Sequence, residues 1–395
     1  MKPHIALLLA VAGVPMITGT SAAQGVADSS TAADAAGADT LSDVRMRAEL
    51  GDAAAQCSLG CMYWNGQGVP GDHAEAAKWI RMSADQNLAE AQYYLGVMSE
   101  AGDGMPKDAA EAMKWYRKAA DQGNAWARSS IRAKAESGDA AAECYVGCMY
   151  WNGEGVSGDH AEAAKWIRKS ADQNFAEAQY YLGVMSEAGN GMPKDAAEAM
   201  KWYWKAAGQG NAWALTSIRA KAEAGDTEVQ YRLGLMVEKG DGVPMDNAQA
   251  ATWIRKAAEG GHALAQEKLG FMYFWSIDGL NHDGAEAAKW YRKAADQGLA
   301  EAQAALGLLY RSGDGVPMDS AETVKWYRKA ADQGLAEAQT ALGRMYAEGD
   351  GLPKDSAEAA KWYRKAADQG DAEAESALRR MNAEGAGASP SVPSK

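Results

Sequence analysis

The chain carries four cysteines as two Cys-x-x-x-Cys pairs, Cys57 with Cys61 and Cys144 with Cys148, and the pairs lie 87 residues apart. Two thiols at this spacing can oxidise, bind a metal or stay free. On a helix, side chains at i and i+4 have Cβ atoms about 5–6 Å apart, whereas a disulfide needs about 3.5–4.5 Å. Closing either pair would distort its helix. Structural zinc takes four ligands, so two thiolates fall short of it. Free thiols are the leading reading, with a strained, redox-labile bridge or a metal role as alternatives, and no metal or cofactor is assigned.

Histidine adds little. His73 and His160 follow Asp72 and Asp159 and read as solvated residues of a first helical turn, while His262 and His282 lie near loops. No Ser, Cys or Asp nucleophile has a His at a matched repeat position. No catalytic residue is assigned, and no enzyme is expected.

The elements that position these residues follow from a repeat. Lys-Trp pairs place tryptophans at Trp79, Trp115, Trp166, Trp202, Trp253, Trp290, Trp326 and Trp362, at intervals of 36 or 37 residues with two of 51. Each unit reads as a first helix (89–101 in one copy), a loop Gly102-Asp103-Gly104-Met105-Pro106, and a second helix (109–122). The second helix opens with Asp108 and, three residues on, Glu111, the reciprocal cap in which each side chain meets a free N–H at the helix start. The signal recurs from Asp72/Glu75 to Asp355/Glu358, with Asp246/Gln249 as a variant. Ala112, Trp115, Tyr116, Ala119 and Ala120 form an apolar stripe at helical period. The tryptophans are therefore core.

The run Ala302-Gln303-Ala304-Ala305-Leu306-Gly307, then Gly313-Asp314-Gly315-Val316-Pro317, Ala321-Glu322 and Lys325-Trp326-Tyr327-Arg328-Lys329-Ala330-Ala331 resembles the Sel-one-like repeat, a relative of the tetratricopeptide repeat. The resemblance covers residues 53–370 in eight copies. It implies an all-α fold, a right-handed α-solenoid of antiparallel helix pairs with the first helix on the concave side. It also implies an adaptor that binds protein or peptide. The alternative it raises is a secreted enzyme of the cysteine-rich β-lactamase-like type. In those relatives cysteines pair the first helix with the second, and here the second helix has none.

Two departures stand out. The 51-residue intervals hold extra segments at 124–139 and 211–226, each keeping one short helix, and residues 45–52 resemble the same remnant. Residues 45–131 and 132–218 match almost residue for residue, which a duplication explains. Glycines such as Gly60 and Gly96 let paired helices approach, and Arg379 in that place fits a terminal cap.

Advancing about 100° per residue from Leu59, Cys57, Cys61 and Trp64 point away from the second helix of their unit. The equivalent rows read Cys57, Tyr93, Cys144, Tyr180, Tyr231; then Cys61, Val97, Cys148, Val184, Leu235, Phe271; then Trp64 and Trp151 among acids. Exposed apolar surface of this extent marks an interaction site, and solenoids bind along their concave face. These residues are the candidate partner-binding set. The alternative is that superhelical twist buries much of the stripe between layers.

The net charge is −13, with acidic and basic residues interspersed rather than gathered into a basic face, which disfavours nucleic acid as a partner. Lys2, an apolar run at 5–17 and Ser21-Ala22-Ala23 read as a signal peptide over 1–23, too short for a bilayer span of about 20 residues. The protein is thus expected in the periplasm or outside the cell. Residues 24–40 read as a disordered leader and 385–395 as a disordered tail, bounding a solenoid at 41–384.

Overall fold

The computed structural model describes residues 40–154, 156–277 and 279–387. The expected signal peptide, residues 24–39 of the leader and the tail from 388 lie outside the described residues. Among those described there are twenty helices and no strand. They fall into two units, one ending at Ala214 and one beginning at Leu215.

In the first unit, α1 (Leu41–Glu49) precedes the pairs α2 (Ala53–Asn65) with α3 (His73–Asp85) and α4 (Ala89–Ala101) with α5 (Ala109–Asp121). A single helix, α6 (Ala125–Glu136), separates these from α7 (Ala140–Asn152) with α8 (His160–Asp172) and α9 (Ala176–Ala188) with α10 (Ala196–Gly208). The single helix α11 (Ala212–Glu223) follows and carries the boundary between Ala214 and Leu215. The second unit holds α12 (Thr227–Lys239) with α13 (Asn247–Glu259), α14 (Ala263–Trp275) with α15 (Gly284–Asp296), α16 (Ala300–Ser312) with α17 (Ser320–Asp332), and α18 (Ala336–Glu348) with α19 (Ser356–Ala367). It closes on α20 (Ala372–Gly387), which runs past the boundary expected at 385. Consecutive helices pack on one another from α1 to α10 in the first unit and from α12 to α20 in the second. The fold is an α-solenoid of helix pairs.

Each second helix starts on an aspartate, but only half of the reciprocal cap forms. Asp108 accepts from the N–H groups of Ala110 and Glu111, both at 2.9 Å. Glu111 does not reach back; it accepts from Trp115 Nε1 at 2.9 Å and Lys114 Nζ at 3.1 Å. The Asp108 N–H donates instead to Ser99 O at 2.8 Å, closing the loop onto the first helix. One aspartate thus starts one helix and ties it to the end of the other.

The tryptophan stripe is core, as its period requires. Trp115, Trp202, Trp253, Trp290, Trp326 and Trp362 are buried, and Trp79 and Trp166 are half-buried. Tyr116 lies so close to Gly96 that a Cβ there would stand 2.8 Å from its ring, the close approach that holds the pair together. A glutamine ladder adds a polar tie. Gln92 Nε2 donates to Ala84 O at 3.2 Å, and Gln92 Oε1 accepts from Gln122 Nε2 at 2.7 Å. The same pattern recurs at Gln266, Gln303 and Gln339.

Candidate functional site

The candidate residues divide by burial. Cys57 is 5%, Tyr93 7% and Cys144 1% exposed, so the free surface expected at these three is filled by packing. The physical reason is that a first helix inside the stack touches helices of the adjoining layers as well as its own partner. Trp64 on α2 meets Tyr94 on α4 edge-on, with ring centroids 6.0 Å apart. Cys61, Trp64, Val97, Cys148, Trp151, Tyr180, Val184, Tyr231 and Leu235 are half-buried. Phe271 alone of the set is exposed, at 40%.

The structure gathers Cys57, Cys61 and Trp64 around one apolar cluster with Tyr94, Met98 and Met105. Cys144, Cys148, Trp151 and Tyr180 gather around the equivalent cluster with Tyr181, Met185 and Met192. All four thiols are free. A hydrogen bond to Cys61, with burial next, pushes the Cys57 thiol far up. Cys144 is raised in the same way by Cys148 and burial, against the nearby Arg117 guanidinium. Cys57 and Cys144 are therefore neutral thiols at physiological pH. Among the described residues, no group of three or more His, Cys, Asp or Glu side chains is placed to hold a metal ion.

Two residues outside the candidate rows bear on the site. Trp126 on α6 leans on Tyr93 with centroids 6.0 Å apart, and Tyr93 leans in turn on Tyr116 at 6.0 Å. Trp213 meets Tyr180 at 5.9 Å, and Tyr180 meets Tyr203 at 6.0 Å. Trp126 is 36% and Trp213 42% exposed. Each extra single helix thus adds an open aromatic edge to a tyrosine pair. The signal in the sequence was Asn-Ala-Trp-Ala at 124–127 and 211–214, which falls outside the Lys-Trp register.

Charged groups frame the first of these edges. Glu100 accepts from Tyr116 Oη at 2.7 Å and also pairs with Lys134 Nζ. In the second unit Tyr231 stacks on His262 at 4.8 Å, and Phe271 and Trp275, the latter 60% exposed, lie 6.3 Å apart. Three histidines pair with carboxylates: His73 with Asp103, His262 with Glu228 at 2.9 Å, and His282 with Asp314 at 3.3 Å, the last also meeting Phe274 O at 2.8 Å. Hydrogen bonds to Phe274 and Asp314 raise the His282 pKa. The arrangement offers contact surface.

No curated protein matches the chain at a significant level. A solved protective antigen present in uropathogenic Escherichia coli strains, displaying an SLR fold, is 33% identical over 86% of this chain and 66% of its own, with a TM-score of 0.40. A Sel1 repeat protein from Oxalobacter formigenes is 31% identical over 86% of this chain and 90% of its own, also with a TM-score of 0.40. The Sel1 repeat itself matches residues 53–88, 89–124, 140–175, 176–211, 227–262, 263–299, 300–335 and 336–371. The two largest gaps between matches hold α6 and α11. With eight copies spanning most of its length, the chain belongs to the Sel1 repeat family.

Proposed function

We propose that the chain is a protein- or peptide-binding scaffold whose first unit contacts its partner through the aromatic edges of Trp126 with Tyr93 and Trp213 with Tyr180. Sel1 repeat proteins are generally interaction scaffolds and typically not enzymes. The observation that carries the reading is that these two tryptophans stay open to solvent while the repeat tryptophans are mostly buried. Tyrosine and tryptophan supply large, rigid contact area and dominate binding energy at interfaces. The Phe271 and Trp275 edge in the second unit is a separate contact of the same chemistry.

The test is affinity capture with the purified chain as bait beside a Trp126→Ala/Trp213→Ala variant. A retained partner should lose about thirtyfold in affinity, the equivalent of about 2 kcal/mol at an aromatic anchor, with circular dichroism unchanged. Equal retention by both baits would sink the proposal. Its second part is that the protein works after export, supported by the order of Lys2, the apolar run at 5–17 and Ser21-Ala22-Ala23. Intact mass of the protein from its native host should begin near Gln24. Retention of Met1 would refute export.

A further inference from the structure

We propose that Cys57 with Cys61, and Cys144 with Cys148, each form a two-thiolate site for a soft monovalent metal ion, Cu(I). Spacing carries the argument first. Helical i, i+4 positions hold their Cβ atoms about 5–6 Å apart, too wide for a disulfide. Metal–sulfur bonds of about 2.3 Å in line across one ion separate two sulfurs by about 4.6 Å, a span this spacing accepts without bending the helix. In both copies the two cysteines lie one turn apart on a single helix and in one apolar cluster, so their sulfurs share one side of that helix.

The surroundings select the ion. Met98 and Met105 belong to the first cluster, and Met185 and Met192 to the second. Thiolate and thioether ligands favour Cu(I) over hard cations. Among the described residues no third carboxylate, imidazole or thiol joins either pair, which leaves four-ligand zinc unsatisfied. Cys61 and Cys148 are half-buried beside buried Cys57 and Cys144, so each site has one sulfur reachable from solvent and one shielded.

Binding moves protons and no electrons. Two S–H bonds break, two protons pass to water, two S–Cu bonds form, and the site gains one net negative charge.

The experiment is an anaerobic titration of the reduced full chain with Cu(I) against the coloured chelator bicinchoninate. Cys61→Val and Cys148→Val are the test variants, because Val97 and Val184 hold the same repeat position and the fold accepts valine there. Circular dichroism verifies that each stays helical. The wild type should withdraw two equivalents from the chelator, each single variant one, and the double variant none. Withdrawal of less than one equivalent by the wild type, or equal withdrawal by the double variant, would overturn the proposal. So would loss of two hydrogens per pair on exposure to air, since a disulfide would show the sulfurs closer than the spacing argument requires.

Discussion

Glu143 offers a direct test of the glutamine ladder. It stands where other first helices carry glutamine, is 4% exposed, and accepts from Gln173 Nε2 at 2.6 Å. Gln56, its counterpart in the duplicated segment, donates to Ala48 O at 3.0 Å. A carboxylate cannot make that donation to Ala135 O. Burial raises the Glu143 pKa, against Lys169 and the Gln173 hydrogen bond. Glu143→Gln should gain one hydrogen bond, about 0.5–1.5 kcal/mol net, and remove the cost of a buried charge, about 1–3 kcal/mol. It weakens the charge-assisted bond from Gln173 by about 1 kcal/mol. The balance is about 1–3 kcal/mol in favour of the variant at neutral pH. A raised native pKa means that the carboxyl is protonated, and able to donate, at low pH. The penalty sets in as pH climbs from the ordinary carboxylate value, about 4.3, through the raised one. Repeat arrays open locally, so the assay is native-state hydrogen exchange of α6 and α7, corrected for intrinsic rates. Protection should rise roughly 5–150-fold in the variant at pH 7 and converge with wild type near pH 4. An equal gain at both pH values, or faster exchange at pH 7, would refute the reasoning.

Further outcomes follow from other positions. Gln230 Oε1 is buried without a partner, because Gly260 stands where other layers have the ladder glutamine. A Cβ at Gly260 would lie 2.4 Å from Thr227 Cγ2, so Gly260→Gln alone should lower the urea midpoint, while Gly260→Gln with Thr227→Ala should raise stability by about 1 kcal/mol. Trp326→Ala removes a ring 2% exposed, hydrogen-bonded to Glu322 at 2.9 Å, and should cost about 3–5 kcal/mol in thermal or urea unfolding. Gly104 has φ +67, and a Cβ there would stand 1.9 Å from His73 O. Gly104→Ala should displace that loop and speed its cleavage in limited proteolysis.

The fold was legible because its signals are local and repeated. Asp108, the Trp115–Tyr116 stripe and Gly96 each act within one helix pair, and periodicity finds such features. The Glu111 contact was not legible as a cap, because Trp115 Nε1 and Lys114 compete for the carboxylate one turn on. The burial of Cys57, Tyr93 and Cys144 escaped the rotation argument for a related reason. That argument counts one partner helix, and these side chains are covered by the next layer. Trp126 and Trp213 were hidden because they lie in the extra segments, outside both the Lys-Trp register and the rows of the first helices.

The duplicated segments show how far a neighbouring layer controls the candidate face. Trp64 and Trp151 are equivalent, as are His73 and His160, yet their contacts differ. In the first copy Trp64 Nε1 donates to Asp103 Oδ2 at 2.8 Å, and His73 pairs with the same carboxylate. The second copy has Asn190 in place of Asp103, and there Trp151 and His160 stack on each other at 4.5 Å with planes 16° apart. A carboxylate holds the indole and imidazole by their N–H groups, one ring on each side; an amide carries no charge to hold both, and the rings turn to each other. The residue that makes the difference lies on the loop of the following repeat, about 40 positions away. The chemistry this face presents is therefore written at the junctions between layers, and a partner that reads Trp151 meets a stacked aromatic pair where one that reads Trp64 meets a carboxylate-bound one.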